Sequence, residues 1–176
     1  MSDSCENFTS RFVRCHSDDA LSLVAGSPPS ERKLLIFETP TSIIAYGTVY
    51  RLAGKLEEAE QVAAATLKVV EQHGYRGIHA KVAHLLGNIH ASHSPPDTTK
   101  AIGYYEQAVS LAKELQMRPL VAQCNRSLGL LHNATEQYEE VSPYLTQAVK
   151  LFSDMEMEQW TVRTEQELKG VSDRLN

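Results

Sequence analysis

The sequence predicts an all-α fold, a right-handed α-solenoid of about three helix–turn–helix repeats closed by a C-terminal capping helix. Three segments align on a shared glycine, at Gly47, Gly87 and Gly129, so that the repeat is 40 and then 42 residues long. No stretch between residues 40 and 173 shows the two-residue alternation of a half-buried strand. A repeat of this length that is kept through the chain indicates structural units that stack on one another.

The first helix of each unit is predicted around its glycine. A ring follows each glycine three positions later, as Tyr50, His90 and His132. Thr39 is placed to be the N-cap of the first of these helices, and Pro40 is placed to be its first helical residue.

The second helix of each unit is predicted over residues 55–74, 98–117 and 136–155. Its buried stripe has the spacing i, i+4, i+7 in each unit, as Ala59, Ala63, Thr66; Ala101, Tyr105, Ala108; and Val141, Leu145, Ala148. Gly74 is placed to end one such helix in a left-handed conformation, and Asp97 is placed to cap the next. Pro119 is placed to open the third unit.

These patterns divide the chain into two parts. Residues 1–39 align with no repeat, and we expect an irregular or partly ordered N-terminal segment. The repeat domain is predicted over 40–173, with units at about 40–75, 76–117 and 118–156 and a capping helix at 157–173. A capping helix is expected because the last repeat has no neighbour to cover its apolar face.

Composition narrows the classes of function. The 176 residues carry a net charge of −5, which argues against a protein that binds nucleic acid through phosphate contacts. The three cysteines, Cys5, Cys15 and Cys124, show no paired spacing, so we predict reduced thiols, a cytoplasmic location and a Cys124 that packs as a small apolar residue. No apolar run approaches the roughly 20 residues that span a bilayer, so no membrane contact is expected.

Three histidines lie close together in the sequence, at His84, His90 and His93. Only His90 and His93, three positions apart, can share a helical face, and two imidazoles without a third ligand make a poor metal site. The chain has no phosphate-binding loop and no nucleophile elbow. We therefore expect no metal, no cofactor and no enzymatic activity, and structural or surface roles for these histidines.

The residues around the second glycine carry a family resemblance. Leu86, Gly87 and His90, followed by Ala101, Tyr105 and Ala108, resemble the tetratricopeptide repeat (TPR) pattern, and the likeness covers about residues 40–170. The resemblance implies that His90 and His132, at the tyrosine position of that pattern, pack as rings between helices. The stretch from His84 to His132, with its "SHSPPD" loop, also resembles the C-terminal repeats of large bacterial ATPase/adenylate cyclase or transcription-activator proteins. Because the upstream modules of those proteins are not seen here, their activity is not carried over. The chain is expected to be a free-standing module, a truncated relative or a fragment of a larger protein.

The TPR resemblance implies a concave groove lined by the first helices, at six and three positions before the shared glycine and one after it. The candidate groove residues are Ile44, Thr48, Lys81, His84, Asn88, Gln123, Arg126 and Leu130. This mixed cationic, amide and apolar set suits a peptide or helix that carries acidic or carboxylate groups. We expect a scaffolding module within a regulatory or signalling assembly. The alternative is a regulatory sensor domain that binds a small anionic effector.

Overall fold

The computed structural model describes residues 40–175, so the expectations for residues 1–39, Cys5 and Cys15 included, lie outside the described part of the chain. Between residues 40 and 175 every regular element is an α-helix, which confirms the all-α prediction. The helices are α1 (Pro40–Leu52), α2 (Leu56–Gln72), α3 (Arg76–Ala91), α4 (Thr98–Glu114), α5 (Arg118–Ala134), α6 (Tyr138–Asp154) and α7 (Glu158–Leu175). None of these helices has the length and apolar character needed to cross a bilayer.

The chain forms two compact units, the first ending at Thr66 and the second beginning at Leu67. The first unit contains α1 and most of α2. In the second unit each helix packs against the next one along the chain, from α3 through α7, and α3 also contacts α5. Helices that are neighbours in sequence are therefore neighbours in space within the second unit.

Most helices are joined by three-residue turns that share one backbone conformation. The second residue past the helix end has a positive φ in each such turn, at Gly54, Gly74, Gln116, Glu136 and Glu156. A left-handed residue at this position satisfies the last carbonyls of a helix and reverses the chain. The predicted C-terminal role of Gly74 is confirmed.

The connection between α3 and α4 is different, since it runs over six residues from Ser92 to Asp97. It ends in the predicted cap, where the Asp97 Oδ1 accepts a hydrogen bond from the backbone N–H of Lys100 at 3.2 Å. Pro119 lies in the first turn of α5, as predicted.

Two of the aligned glycines lie where a helix approaches the second helix of its own hairpin. A Cβ atom added at Gly87 would lie 2.6 Å from Tyr105 Cδ1, and one added at Gly129 would lie 2.7 Å from Leu145 Cδ2. Tyr105 and Leu145 are themselves almost completely buried. Glycine recurs at this register because only a residue without a side chain leaves room for the facing helix.

The ring that follows each of these glycines packs on an aromatic residue of the facing helix. His90 stacks on Tyr104 with 5.4 Å between ring centroids, and His132 stacks on Tyr144 at the same 5.4 Å. Both histidines are buried, so their predicted role as packed rings is confirmed. Cys124 is also fully buried, and burial raises the pKa of its thiol to about 12, as expected of a side chain that packs as an apolar group.

The final helix, α7, covers one side of the second unit. Its Thr164 and Val171 are buried, while Val162 is 46% exposed. The remaining exposed positions of α7 are mostly charged or polar. A helix with one buried side and one polar side can end a stack of helices without exposing a large apolar surface.

Candidate functional site

The eight candidate groove residues are divided between the two units. Ile44 and Thr48 lie on α1 in the first unit, where the Thr48 hydroxyl donates to the Ile44 carbonyl at 2.7 Å. The other six lie in the second unit, on α3 as Lys81, His84 and Asn88, and on α5 as Gln123, Arg126 and Leu130.

Two of these residues form a polar network between α3 and α5. The Tyr105 hydroxyl donates to the Asn88 Oδ1 at 2.9 Å, and the Ser127 hydroxyl donates to the same oxygen at 3.3 Å. The His84 Nε2 lies 3.2 Å from the Ser127 hydroxyl and 3.4 Å from the Asn88 Nδ2. Asn88 is therefore held by the buried Tyr105 on one side and by α5 on the other. The network orients these side chains and limits their freedom to rearrange.

Arg126 makes the corresponding link between α5 and α7. Its Nε donates to the Glu167 Oε2 at 2.8 Å, and its Nη2 donates to the other carboxylate oxygen, in the fork geometry of a bidentate pair. The guanidinium carbon also lies 5.6 Å from the centre of the Trp160 ring. The side chains of Arg126 and Glu167 are only 14% and 22% exposed. The sequence predicted Arg126 as a cationic groove residue, and in the structure the Glu167 carboxylate compensates its charge.

The two links occupy equivalent places, and together we call them the interhelix seam (His84, Asn88, Ser127, Arg126 and Glu167). His84 contacts the residue 43 positions later, and Arg126 contacts the residue 41 positions later. Equivalent positions on these helices are 42 residues apart between α3 and α5 and 40 residues apart between α5 and α7. Each contact therefore reaches the residue one position after the equivalent one on the next of these helices. The seam joins α3, α5 and α7 along one side of the second unit.

Exposed cations flank the seam. Lys81 is exposed, and no ion pair to it is found in the described part of the chain. Arg163, which is 66% exposed, places its Nε 3.5 Å from the Glu167 Oε1. Lys81, Gln123 and Arg163 follow one another at 42 and then 40 residues, so they share one register on α3, α5 and α7. Gln123 is half-buried and offers an amide between the two cations.

Sequence reasoning did not find Ser127, Glu167, Arg163 or Trp160. The groove positions are defined relative to the shared glycine. Helix α7 has Lys169 where the other two helices have Gly87 and Gly129, so the pattern predicts only a cap there. Counting from the start of each helix would have aligned Arg163 with Gln123. The acceptor role of Glu167 depends on the distance between α5 and α7, which no local pattern encodes.

The histidines at the end of α3 come together as their spacing predicted. The His90 and His93 rings stack with 5.9 Å between centroids, and the His90 carbonyl accepts a hydrogen bond from the Asp97 backbone N–H at 3.1 Å. His93 thereby covers the outer side of the buried His90 ring. His84 is the one histidine of the three that belongs to the interhelix seam.

No protein-family model matches this chain, and no curated protein matches it either. What the chain does must therefore be argued from its own residues.

Proposed function

We propose that the chain is a TPR-like α-solenoid that acts without catalysis, as a protein-binding module. We further propose that its first-helix surface, formed by α3, α5 and α7, binds a peptide or helix that carries acidic groups. The observation that carries the proposal is the charge of this surface. Arg126 and Arg163 both lie within ion-pair distance of the Glu167 carboxylate, and the exposed Lys81 has no ion pair among the described residues, in a chain whose net charge is −5. A local excess of cations on an acidic protein favours a partner of negative charge.

The repeated contacts support the solenoid. Glycine approaches the facing helix in both hairpins, and the same histidine–tyrosine stack follows three positions later. The first residue of α3 pairs with the last of α4, as Arg76 with Glu114, and Arg118 pairs with Asp154 across α5 and α6 at 3.6 Å. Contacts that recur at the repeat spacing favour stacked, equivalent units. On this interpretation α7 is the first helix of a further unit and serves as the cap.

The interhelix seam and the flanking residues have different parts in the proposed binding. Arg126 and Asn88 are held by partners within the chain, so they define a stable surface and contribute few free donors. Lys81 and Arg163 are exposed and can turn toward a carboxylate, while the Gln123 amide can bond to a peptide backbone. A pre-ordered surface lowers the entropic cost of binding an extended segment.

The experiment that tests this proposal compares two double variants of the full chain. Lys81→Ala with Arg163→Ala removes the exposed cations next to the seam, and Lys113→Ala with Lys150→Ala removes two exposed cations from α4 and α6. Binding would be measured by fluorescence anisotropy against a library of labelled peptides rich in Asp and Glu, with each acidic residue changed to its amide as the reference. Citrate is added in a parallel series as a small anion.

We expect selected acidic peptides to bind at least about tenfold more weakly to the Lys81/Arg163 variant, and unchanged to the Lys113/Lys150 variant. Equal binding by both variants, or equal binding of the amide peptides, would contradict the proposal. Saturable binding of citrate with no binding of any acidic peptide would favour the small-effector alternative instead.

A further inference from the structure

A second site is formed at the turn between α5 and α6, away from the seam residues. An open cavity of about 740 Å³ lies there, lined by His132, Glu136, Gln137, Tyr138, Glu139 and Glu140. We propose that this α5–α6 turn cavity binds an organic cation with N–H donors, a guanidinium or a primary ammonium. The proposal is independent of the acidic-peptide site, because it concerns a different surface and the opposite charge.

Three carboxylates at the start of a helix are not by themselves a site. Acidic residues are favoured in the first turn by the helix dipole, and α2 carries Glu57 and Glu58 at the same place. The feature that distinguishes α6 is the histidine within the cavity wall. His132 is 7% exposed, yet it lines the cavity together with the carboxylates.

The hydrogen bond to Gln137 occupies one of the two ring nitrogens of His132. The His132 Nδ1 lies 2.7 Å from the Gln137 Oε1, so in the neutral ring Nδ1 carries the proton and donates it to that oxygen. The Nε2 then keeps a lone pair, and within the described residues no hydrogen bond to this atom is found. An acceptor nitrogen on a mostly buried histidine, in a cavity wall shared with Glu136, Glu139 and Glu140, matches a ligand that brings positive charge and N–H donors together.

In the α3–α4 hairpin the equivalent histidine, His90, is covered by the ring of His93. His90 stacks on Tyr104 as His132 stacks on Tyr144, but His93 from the longer connection lies over His90 with 5.9 Å between the ring centroids. The three-residue turn before α6 provides no such ring. His132 is therefore left facing the cavity.

The geometry favours an organic cation over a metal ion. Among the described residues, the nitrogens of His132 and the surrounding carboxylates do not converge on one point as the ligands of an ion must. A cavity of about 740 Å³ instead has room for a side chain or a small amine. Tyr138 in its wall adds an aromatic face, which attracts guanidinium and ammonium groups.

The test is an NMR titration of the full chain with two probes of nearly the same shape. N-acetyl-arginine amide carries a guanidinium, and N-acetyl-citrulline amide carries a neutral urea in its place. We expect saturable shifts of the backbone amides of residues 132–140 with the arginine probe and not with the citrulline probe. Equal shifts with both probes, or no saturable shift with the arginine probe, would overturn the proposal.

Variants then assign the binding to the cavity. Glu139→Gln with Glu140→Gln is expected to weaken binding of the arginine probe at least about fivefold, and Glu57→Gln with Glu58→Gln in α2 to leave it unchanged. His132→Phe keeps a ring against Tyr144 but removes the acceptor, and is expected to weaken binding, whereas His90→Phe is not. Unchanged binding in the Glu139/Glu140 variant refutes the site, whether or not His132→Phe folds.

A third probe separates the two sources of such a cation. Butylguanidine is a free small molecule with one guanidinium and the same single charge, whereas N-acetyl-arginine amide represents an arginine side chain within a partner protein. Tighter binding of butylguanidine would identify a small organic cation as the ligand. Equal or tighter binding of the arginine amide would identify a basic segment of a protein.

Discussion

The α3–α4 hairpin and the α5–α6 hairpin make the same contacts around their aligned glycines, but they differ at the connection that joins their helices. Both contain a glycine under a buried side chain and a histidine stacked on a tyrosine. In the first hairpin six residues join the helices and His93 covers the stack; in the second, three residues join them and the stack faces a cavity.

A second difference lies in the seam. At three positions before the glycine, the first hairpin has His84, which bonds to the neutral side chains of Ser127 and Asn88, and the second has Arg126, which makes a bidentate ion pair. The contacts between the two helices of a hairpin repeat because close packing allows few alternatives. Connections and outward-facing positions are less restricted, and here the candidate binding chemistry is found.

The largest expected effect concerns the glycines. We expect Gly87→Ala to lower the free energy of unfolding by about 1–3 kcal/mol, because the new Cβ meets the flat ring of Tyr105, which cannot move without disturbing its hydrogen bond to Asn88. Gly129→Ala is expected to be destabilising as well, since its Cβ would lie 2.7 Å from Cδ2 and 2.8 Å from Cγ of the fully buried Leu145. Urea unfolding monitored by circular dichroism measures both.

Gly103→Ala is the matched control for these glycine variants. No atom lies within 4 Å of a Cβ added at Gly103, so removing a mid-helix glycine there should raise the free energy of unfolding by about 0.5–1 kcal/mol. A Gly87→Ala variant as stable as Gly103→Ala would show that the α3–α4 contact is looser than described.

The second effect compares the two links of the interhelix seam. Arg126→Ala should lower the free energy of unfolding by about 1–2 kcal/mol, because it leaves the mostly buried Glu167 without its bidentate partner. His84→Ala should cost about 0.5–1 kcal/mol, since its hydrogen bonds are uncharged in the neutral ring. Thermal and urea unfolding of both variants measure the difference.

Arg163→Ala serves as the control for the seam, because its exposed ion pair should add little to the free energy of unfolding. It should weaken binding of acidic peptides without lowering stability. A double-mutant cycle between Arg126→Ala and Glu167→Ala gives the coupling directly, and a coupling near zero would contradict the role assigned to this pair.

The smallest effect concerns the cap of α4, which has no side-chain counterpart at the start of α6. Hydrogen bonds from the Lys100 side chain and backbone N–H lower the pKa of the Asp97 carboxyl below its usual value. Because the folded-state pKa is the lower one, the stabilisation by Asp97 is complete above the unfolded-state pKa and is lost as pH falls through the folded-state pKa.

Unfolding free energies of the wild type and of Asp97→Ala should therefore differ at neutral pH and converge in strong acid. Glu106→Ala, which removes an exposed carboxylate in the middle of α4, is the control and should show no such convergence. A difference for Asp97→Ala that stays constant with pH would mean that its carboxylate does not act as the cap.

Much of the helical framework could be predicted from local sequence. Gly74, Asp97 and Pro119 have the conformations or caps that their types suggested, and the ring positions of His90 and His132 followed from the register of the glycines. These predictions succeed because each depends on one residue and the few around it. The predicted groove residues in the second unit lie on α3 and α5, but their partners across the seam could not be foreseen.

Local patterns in the sequence predict that residues 40–173 are helical and where most of the turns fall, because backbone propensity and capping act over a few residues. Only the tertiary structure decided that Glu167 takes up the charge of Arg126, that Asn88 is held by Tyr105, and that His132 faces a cavity while His90 is covered. These outcomes depend on distances between helices, and those distances are set by the packing of many side chains at once.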